Sequence, residues 1–393
     1  MKIGFNSRVA ASTYVLCVAG LLALAPAAAA PRTGPDPSAR GGPSTRVPGP
    51  SLLYRSGTQV RQRPGVPELP DVSALSWLVA DARTGEVLAA HNAHRRLPPA
   101  STLKTLFAVT VLPGLPGGLR HRVRAEELRG IGPGSSLAGV AEGHTYRVAD
   151  LWRGVFLNSG NDAVHVLAAL NGGWRTTAAR MQAKARALGA RDTRVLSPDG
   201  YDTPGQVSSA YDLAVFGRAG LDNAEFARYC SLAVARFPGT DGGSYEIRNT
   251  NRLLTGADGV RPYRGLIGVK NGYTSNAGHT LVAAARRGER TLVVTVMNPQ
   301  QGGGFTVYEE ARSLLDWGFE AAGRARPVGS LDALRATPRP GPKTAPSAVA
   351  TAAAASGGGP DGLLTGALTG AVLLGAGVVA LVLRLTWGRV ERS

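Results

Sequence analysis

The chain has 393 residues and a formal net charge of +17, and Arg supplies most of the positive charge because only five of the 44 Lys and Arg residues are Lys. The charge would suit nucleic acid, but no alternation of aromatic and basic residues favours base stacking and the chain starts like an exported protein, so we exclude a nucleic-acid partner. Of the two cysteines, Cys17 lies in the segment that export would remove, which leaves Cys230 without a disulfide partner.

The first 30 residues have the pattern of a signal peptide. Two basic residues precede an apolar run from Tyr14 to Ala25, and a run of four alanines ends at Ala30. Such a short apolar run, with charge before it and small residues after it, favours cleavage over a membrane span. We expect residues 1–30 to direct export, although an uncleaved anchor remains the alternative.

Two stretches with the composition of linkers bracket the region of periodic apolar residues. They cover residues 31–70 and 325–362 and are rich in Pro with Gly, Ser or Ala. Residues 71–324 lie between them and are numerous enough to bury a substantial core. We expect this region to form the folded domain.

The first predicted elements of that domain are a hairpin and a buried helix. Apolar runs at residues 74–80 and 86–90 are separated by a turn-forming segment, which indicates an antiparallel hairpin. A nearly all-apolar segment at residues 103–112 predicts a buried helix whose first turn holds Ser101, although the β-branched residues 109–111 also fit a buried strand.

Helices dominate the middle of the chain and strands return in its last third. Helical patterns occupy residues 150–157, 162–170, 174–188, 209–220 and, at the end of the domain, 307–319. Strand patterns occupy residues 266–269, 279–286 and 291–297. Strands at both ends with helices between them predict an α+β fold, with an antiparallel sheet covered by helices and a mostly helical lobe.

The C-terminal region has the pattern of a membrane anchor. Residues 363–383 are uncharged and mostly apolar, and as a helix they would just cross a hydrocarbon core of about 30 Å. The basic tail at residues 384–393 favours a cytoplasmic position for the C-terminus. We therefore expect a single membrane-spanning helix that holds the folded domain on the outer, cell-wall side of the cell membrane.

The segment Ser101-Thr102-Leu103-Lys104 places a hydroxyl and an amine three residues apart. On a helix this spacing puts both side chains on one face. A buried Lys can lose its proton whereas Arg cannot, so Lys104 can act as a base for Ser101. The unpaired amides of a helix start favour a nucleophile there. The spacing also arises by chance, so this segment alone is a weak signal.

Two more short segments carry polar residues that can belong to the same catalytic site as Ser101 and Lys104. Ser159-Gly160-Asn161 separates two predicted helices and, taken singly, is more often a loop or a helix cap. Lys270-Asn271-Gly272 is often a plain turn, but its glycine would let a substrate lie close to a sheet edge while its lysine presents a cation. Together, the three segments indicate a serine acyl-transfer site with lysine as the base.

The motif set resembles the D-alanyl-D-alanine carboxypeptidases, which are low-molecular-mass penicillin-binding proteins of serine peptidase family S11. The likeness covers roughly residues 72 to 322 and includes the landmarks Pro99-Ala100-Ser101-Thr102, Gly134-Ser135-Ser136-Leu137, Asn158-Ser159-Gly160-Asn161-Asp162-Ala163, Ser197-Pro198-Asp199-Gly200, Asn249-Thr250-Asn251-Arg252-Leu253-Leu254 and Gly268-Val269-Lys270. It implies a β-lactamase/transpeptidase-like fold, a peptidoglycan stem-peptide substrate, covalent binding of β-lactam inhibitors, and no metal or organic cofactor.

The resemblance also implies a role for each catalytic residue. Ser101 would attack the carbonyl between the two terminal D-Ala residues and form an acyl-enzyme that water hydrolyses. Lys104 would accept the Ser101 proton, provided that burial and the nearby Lys270 lower its pKa. Ser159 would relay a proton to the leaving amine, and Asn161 would orient Lys104 and bind the substrate backbone.

By the same resemblance, substrate-binding roles would fall on Lys270, Asn271, Gly272, Tyr273 and Thr274. Lys270 and Thr274 would position the terminal carboxylate beside Gly272. The amides of Ser101 and Tyr273 would form the oxyanion hole.

Asn271 departs from the pattern of the resembled family, which usually reads Lys-Thr-Gly or Lys-Ser-Gly. An amide is larger than a hydroxyl and cannot rotate a single proton as Thr does. Asn271 therefore leaves open a catalytically weak homologue that only binds cell-wall peptides. A β-lactamase is a further alternative, but no glutamate-bearing segment suited to rapid deacylation is visible.

Overall fold

The computed structural model describes residues 52–335, and the strands of its main sheet come from both ends of this region. The strands are Thr58–Val60 (β1), Ser76–Asp81 (β2), Glu86–His91 (β3), Arg120–Arg122 (β4), Thr145–Arg147 (β5), Val234–Pro238 (β6), Ser244–Arg248 (β7), Leu266–Thr274 (β8), Gly278–Arg287 (β9), Arg290–Met297 (β10) and Gly329–Ser330 (β11). The α-helices are Lys104–Val111 (α1), Val148–Leu157 (α2), Asn161–Leu170 (α3), Trp174–Ala187 (α4), Ala210–Leu221 (α5), Ala224–Cys230 (α6), Arg252–Thr255 (α7) and Thr306–Ala321 (α8). The predicted α+β class is confirmed.

Seven strands form one antiparallel sheet in the order β1-β3-β2-β10-β9-β8, and β11 also pairs with β3. The predicted hairpin is confirmed as β2 and β3. Its turn closes because Asp81 Oδ1 accepts the amides of Arg83 and Thr84 at 2.9 and 3.0 Å, and Gly85 adopts a φ of 74°. The strand β8 lies at one end of this order, so its outer edge has no strand partner within the described region.

Helices cover both faces of the sheet, which is why its central strands are apolar on both sides. On one face, α8 packs against β2, β9 and β10 and contributes Leu314 to a core that contains Val294. On the other face, α1 and α5 contribute Leu106 and Phe216 to a core that contains Val293. The adjacent residues Val293 and Val294 enter different cores because successive side chains of a strand point to opposite faces.

The helices α2, α3, α4 and α6 form the predicted helical lobe. An aromatic cluster fixes α2 in it, since Trp152 lies 5.5 Å from Phe107 and Phe156 lies 5.0 Å from Phe226 between ring centroids. The helix α2 ends at Leu157, directly before the Ser-Gly-Asn segment. The position of that segment therefore depends on the tertiary packing of α2.

The folded region extends beyond residues 71–324 on both sides. Within the predicted linker 31–70, Leu53 is buried and β1 pairs with β3. Within the predicted linker 325–362, Val328 and Leu331 are buried next to β11. These strands are two or three residues long, so they lack a readable alternation, and their partner β3 is distant in the chain.

Several predicted segments lie outside the described residues. They are the signal peptide at 1–30, the outer parts of both linkers, the membrane span at 363–383 and the basic tail at 384–393. All of residues 336–393 lie outside the described part. Within residues 52–335, no helix is long and apolar enough to cross a membrane.

Candidate active site

Ser101 and Lys104 meet at the start of the buried helix. Residues Ala100–Leu103 form a turn of 3-10 helix, and α1 begins at Lys104. Side chains three residues apart are eclipsed in a 3-10 turn. Lys104 Nζ therefore donates a hydrogen bond to Ser101 Oγ at 2.8 Å. The predicted helix is confirmed, and its tighter first turn is what aligns the two side chains.

Two glycines enclose the backbone on either side of Ser101. A Cβ on Gly272 would lie 2.7 Å from the Ser101 amide nitrogen, and a Cβ on Gly200 would overlap the Ala100 carbonyl oxygen. Ala100 itself has a φ of 50°, a left-handed conformation that is uncommon for a residue with a side chain. The strand β8 thus passes directly beside the Ser101 amide because residue 272 has no side chain.

Burial gives Lys104 the properties of a base. Lys104 is only 1% exposed, and its Nζ also donates to the Asp199 carbonyl at 2.6 Å. Loss of hydration lowers the pKa of Lys104 to about 8, although the negative charges of Asp199 and Asp162 act in the opposite direction. An amine with this pKa is partly neutral near pH 8, as a general base requires.

Lys270 is a second buried lysine on β8. Its Nζ donates to the carbonyl of Asn271 at 2.8 Å. Burial and then the positive charge of Lys104 lower the pKa of Lys270 well below its ordinary value. The sequence predicts that Lys270 helps to lower the pKa of Lys104. Burial is the larger cause of both pKa shifts, and repulsion between two buried ammonium groups disfavours the state in which both lysines are charged.

Ser159 and Asn161 lie at the junction of α2 and α3, as predicted. Ser159 has a φ of 58°, and its Oγ is buried without a hydrogen-bond partner among the described residues. Asn161 Nδ2 donates to Ser135 Oγ at 2.9 Å, and in the same part of the chain Asn161 Oδ1 has no partner. Unsatisfied buried polar atoms are uncommon, so a substrate is a reasonable partner for them.

The contact expected between Asn161 and Lys104 is not present. Within residues 52–335, the hydrogen bonds of Lys104 Nζ go to Ser101 and Asp199, while the amide of Asn161 is turned toward Ser135. Asn161 therefore fixes the loop that carries Ser135 rather than the base.

Asp162 holds this loop in place, a role that the sequence does not reveal. Its buried carboxylate accepts the three consecutive amides of residues 138–140 at distances of 2.8 to 3.0 Å. The available signal is an acidic residue in the first turn of a helix, a position that favours negative charge. Asp162 and its neighbour Asn161 together fix one wall of the site.

The predicted carboxylate contacts on β8 have protein partners. The Thr274 hydroxyl donates to Asp202 Oδ1 at 2.7 Å, and the Thr250 hydroxyl donates to Asn271 Oδ1 at 2.9 Å. A substrate carboxylate at Thr274 would meet the carboxylate of Asp202, and like charges disfavour this contact. Tyr273, which lies between Asn271 and Thr274 on β8, is largely exposed.

The structure thus brings Ser101, Lys104, Lys270 and Gly272 into one cluster. No role for Asp199, Asp202 or Thr250 follows from the sequence. Asp199 and Thr250 do lie in segments that resemble family landmarks. Asp199 acts on Lys104 through the charge of its carboxylate and through its backbone carbonyl, and no side-chain pattern can reveal the carbonyl contact.

The geometry suits covalent acyl transfer. A hydroxyl that accepts a hydrogen bond from a partly neutral amine can lose its proton to that amine as it attacks a carbonyl carbon. The Ser101 amide, which lies against Gly272 of β8, provides a donor close to where an oxyanion would form.

Sequence comparisons agree with this chemistry. The family model described as D-alanyl-D-alanine carboxypeptidase matches residues 62–301. D-alanyl-D-alanine carboxypeptidase DacB2 of Mycobacterium tuberculosis is 40% identical over 273 residues, which cover 69% of this chain and 90% of the relative. D-alanyl-D-alanine carboxypeptidase DacD of Escherichia coli is 35% identical over 276 residues, which cover 67% of each chain.

Solved structures show the same architecture. The crystal structure of D-alanyl-D-alanine carboxypeptidase from Mycobacterium tuberculosis has a TM-score of 0.62 and 38% identity, and the match covers 68% of this chain and 99% of that chain. A Streptomyces DD-transpeptidase has a TM-score of 0.59 and 25% identity, with 64% of this chain and 99% of that chain covered. The expected transpeptidase-like fold is confirmed.

Proposed function

The chain belongs to the D-alanyl-D-alanine carboxypeptidase family, and from this premise we propose that it removes the terminal D-Ala from peptidoglycan stem peptides as a serine-type carboxypeptidase. The observation that carries this function is the 2.8 Å hydrogen bond between the buried amine of Lys104 and the hydroxyl of Ser101. Covalent binding of β-lactams through the same serine belongs to this proposal.

Acylation begins when Ser101 Oγ attacks the carbonyl carbon between the two terminal D-Ala residues. The neutral Lys104 amine takes the hydroxyl proton, and the bonding electrons of the carbonyl move to its oxygen. The amides of Ser101 and Tyr273 donate to this oxyanion, a contribution that is worth about 3 kcal/mol per donor in other serine hydrolases.

Collapse of the intermediate expels D-Ala. The C–N bond breaks as the leaving nitrogen receives a proton, which Ser159 relays from Lys104. The Ser159 hydroxyl has no other partner among residues 52–335, and because Lys104 donates to Ser101 and Asp199 in this structure, the relay requires the Ser159 hydroxyl to approach Lys104 during the reaction. Water then attacks the ester carbonyl and gives a proton to Lys104. The ester C–O bond to Ser101 Oγ breaks, Lys104 returns the proton to Ser101 Oγ, and the shortened peptide leaves with a free carboxylate.

A β-lactam is expected to acylate Ser101 by the same steps. Its C–N bond is part of a ring, so the expelled nitrogen remains attached to the acyl group. It stays in the cleft and hinders the attack of water, and the covalent adduct persists.

The decisive experiment uses the full-length chain and diacetyl-Lys-D-Ala-D-Ala, with released D-Ala as the readout. Fluorescent penicillin labels the same preparation in parallel. We expect release of D-Ala and labelling by the wild type, and neither by Ser101→Ala. Labelling without D-Ala release would support a homologue that only binds wall peptides, and absence of label would contradict the carboxypeptidase.

We also propose that residues 363–383 anchor the catalytic region to the outer side of the cell membrane. Their length and lack of charge support this, as does the signal-peptide pattern of residues 1–30. The test is to fractionate cells that express either the full chain or a chain that ends at residue 362. The full chain is expected in the membrane fraction and the shortened chain outside it, whereas equal distribution would contradict the anchor.

A further inference from the structure

The loop after β7 contacts both the helix that precedes Ser159 and the strand that carries Lys270. Thr250 N donates to the Leu157 carbonyl at 3.0 Å, and Leu157 is the last residue of α2 before the segment that holds Ser159. The Thr250 hydroxyl donates to Asn271 Oδ1 at 2.9 Å, and Asn271 follows Lys270 on β8. Thr250 is thus hydrogen-bonded to α2 through its backbone and to β8 through its side chain.

A third contact and two buried neighbours fix Thr250 itself. The Tyr308 hydroxyl, on α8, donates to the Thr250 carbonyl at 3.2 Å. Asn249 and Asn251 flank Thr250 and are 3% and 1% exposed, and Asn249 Nδ2 donates to the Leu232 carbonyl at 3.0 Å. The backbone of Thr250 therefore has little freedom, and its hydroxyl is held toward β8.

We infer that Thr250 is a positioning residue that sets the spacing between Ser159 and β8, and that Asn271 serves as its anchor on β8 rather than as a ligand of the substrate carboxylate. This inference rests on the proposed function, because it assigns Thr250 and Asn271 to the reaction of that site.

The chemistry of the amide explains why Asn suits position 271. Its oxygen accepts from the Thr250 hydroxyl, and this oxygen lies one bond farther from the backbone than the hydroxyl of a Thr or Ser at position 271 would. The loop that carries Thr250 thus contacts β8 through Asn271, and it contacts α8 through the Tyr308 hydroxyl, which donates to the Thr250 carbonyl.

The test compares Thr250→Val with Thr250→Ser in the full-length chain. Valine matches threonine in shape and keeps the backbone bonds to Leu157 and Tyr308, so it removes only the hydroxyl that bonds to Asn271. Because misplacement of reacting groups lowers rates steeply, we expect Thr250→Val to lower kcat for D-Ala release about tenfold and to change KM by less than about twofold. Thr250→Ser keeps the hydroxyl and is expected to retain wild-type kinetics.

Asn271→Leu completes a double-mutant cycle. If both residues act through one hydrogen bond, Asn271→Leu lowers kcat by a similar factor, and the double variant is no slower than either single variant. A wild-type kcat for Thr250→Val would overturn the inference. So would an Asn271→Leu variant whose KM rises about tenfold at unchanged kcat, since this is the signature of a lost substrate contact.

Hydrogen exchange provides a readout that does not depend on activity. We expect Thr250→Val to accelerate amide exchange in residues 157–161 and 270–274, with no change in β4, which is remote from Thr250 in the fold. Unchanged amide exchange in both of these segments would refute the positioning role even in an active enzyme. Absence of D-Ala release by the wild type would instead contradict the proposed function, and the exchange data would still decide the role of Thr250.

Discussion

Lys104 shows how one side chain acquires its chemistry. In the sequence it is one of five lysines, and its spacing from Ser101 recurs by chance. The 3-10 turn brings the two side chains together, and burial lowers the pKa of the amine to about 8. The motif supplies a hydroxyl and an amine, and burial in the fold lowers the pKa of the amine so that it can act as a base.

The first prediction concerns pH. Lys104 accepts a proton only as the neutral amine, and the neutral fraction rises with pH up to and beyond its pKa of about 8. We expect the rate constant of acylation by a β-lactam to rise about tenfold per pH unit below pH 8 and to level off above it. A rate that is constant from about pH 6 to pH 9 would contradict Lys104 as the base.

The second prediction separates charge from basicity. Lys104→Arg keeps a positive charge but cannot supply a neutral base, so acylation by fluorescent penicillin is expected to slow by about 10² to 10⁴. Lys184→Arg, on the surface-facing helix α4, is the matched control and is expected to react like the wild type. Wild-type turnover of D-Ala-D-Ala substrate by Lys104→Arg would refute the proposed base.

The strand β8 concentrates three different functions in three consecutive residues. Lys270 is buried, Asn271 is bonded to the Thr250 hydroxyl, and Gly272 lies against the Ser101 amide. The sequence predicts a strand at residues 266–269, but β8 continues to Thr274. Local propensity does not favour Asn and Gly in a strand, so pairing with β9 decides its length.

A side chain at position 272 should damage this strand's contact with the nucleophile. In Gly272→Ala, the new Cβ would lie 2.7 Å from the Ser101 amide nitrogen, so β8 or the serine must shift. We expect labelling by fluorescent penicillin to slow by about 10² or more. Gly303→Ala, whose Cβ would meet nothing within 4 Å, is the control. Equal labelling of both variants would show that the close approach at Gly272 is not needed.

The first and last strands of the described region pair with the same strand, β3. The N-terminal strand β1 and the C-terminal strand β11 both pair with β3, and Leu53, Val328 and Leu331 are buried beside them. Composition suggests linkers here because Pro, Gly and Arg are frequent. Whether such a segment packs depends on a partner strand that is close in space and distant in sequence.

A comparison of two shortened chains tests how much these end strands contribute. We expect residues 71–324 to be less stable than residues 52–335 by at least about 3 kcal/mol, because burial of each lost Leu or Val contributes about 1.5 to 3 kcal/mol. Urea unfolding of the two chains, monitored by circular dichroism, gives the difference in free energy of unfolding. Equal stability would mean that the end strands do not contribute to the fold.

The sequence by itself determined the fold class and the order of most of the main helices and strands, and it singled out Ser101 and Lys104 as the candidate nucleophile and base. These depend on local periodicity and on motifs such as Ser101-Thr102-Leu103-Lys104, which are legible along the chain. Only the tertiary structure decided the pKa of Lys104, the turn of Asn161 toward Ser135 and the link from Thr250 to Asn271. Burial and long-range hydrogen bonds depend on residues that are distant in sequence, so no local pattern can record them.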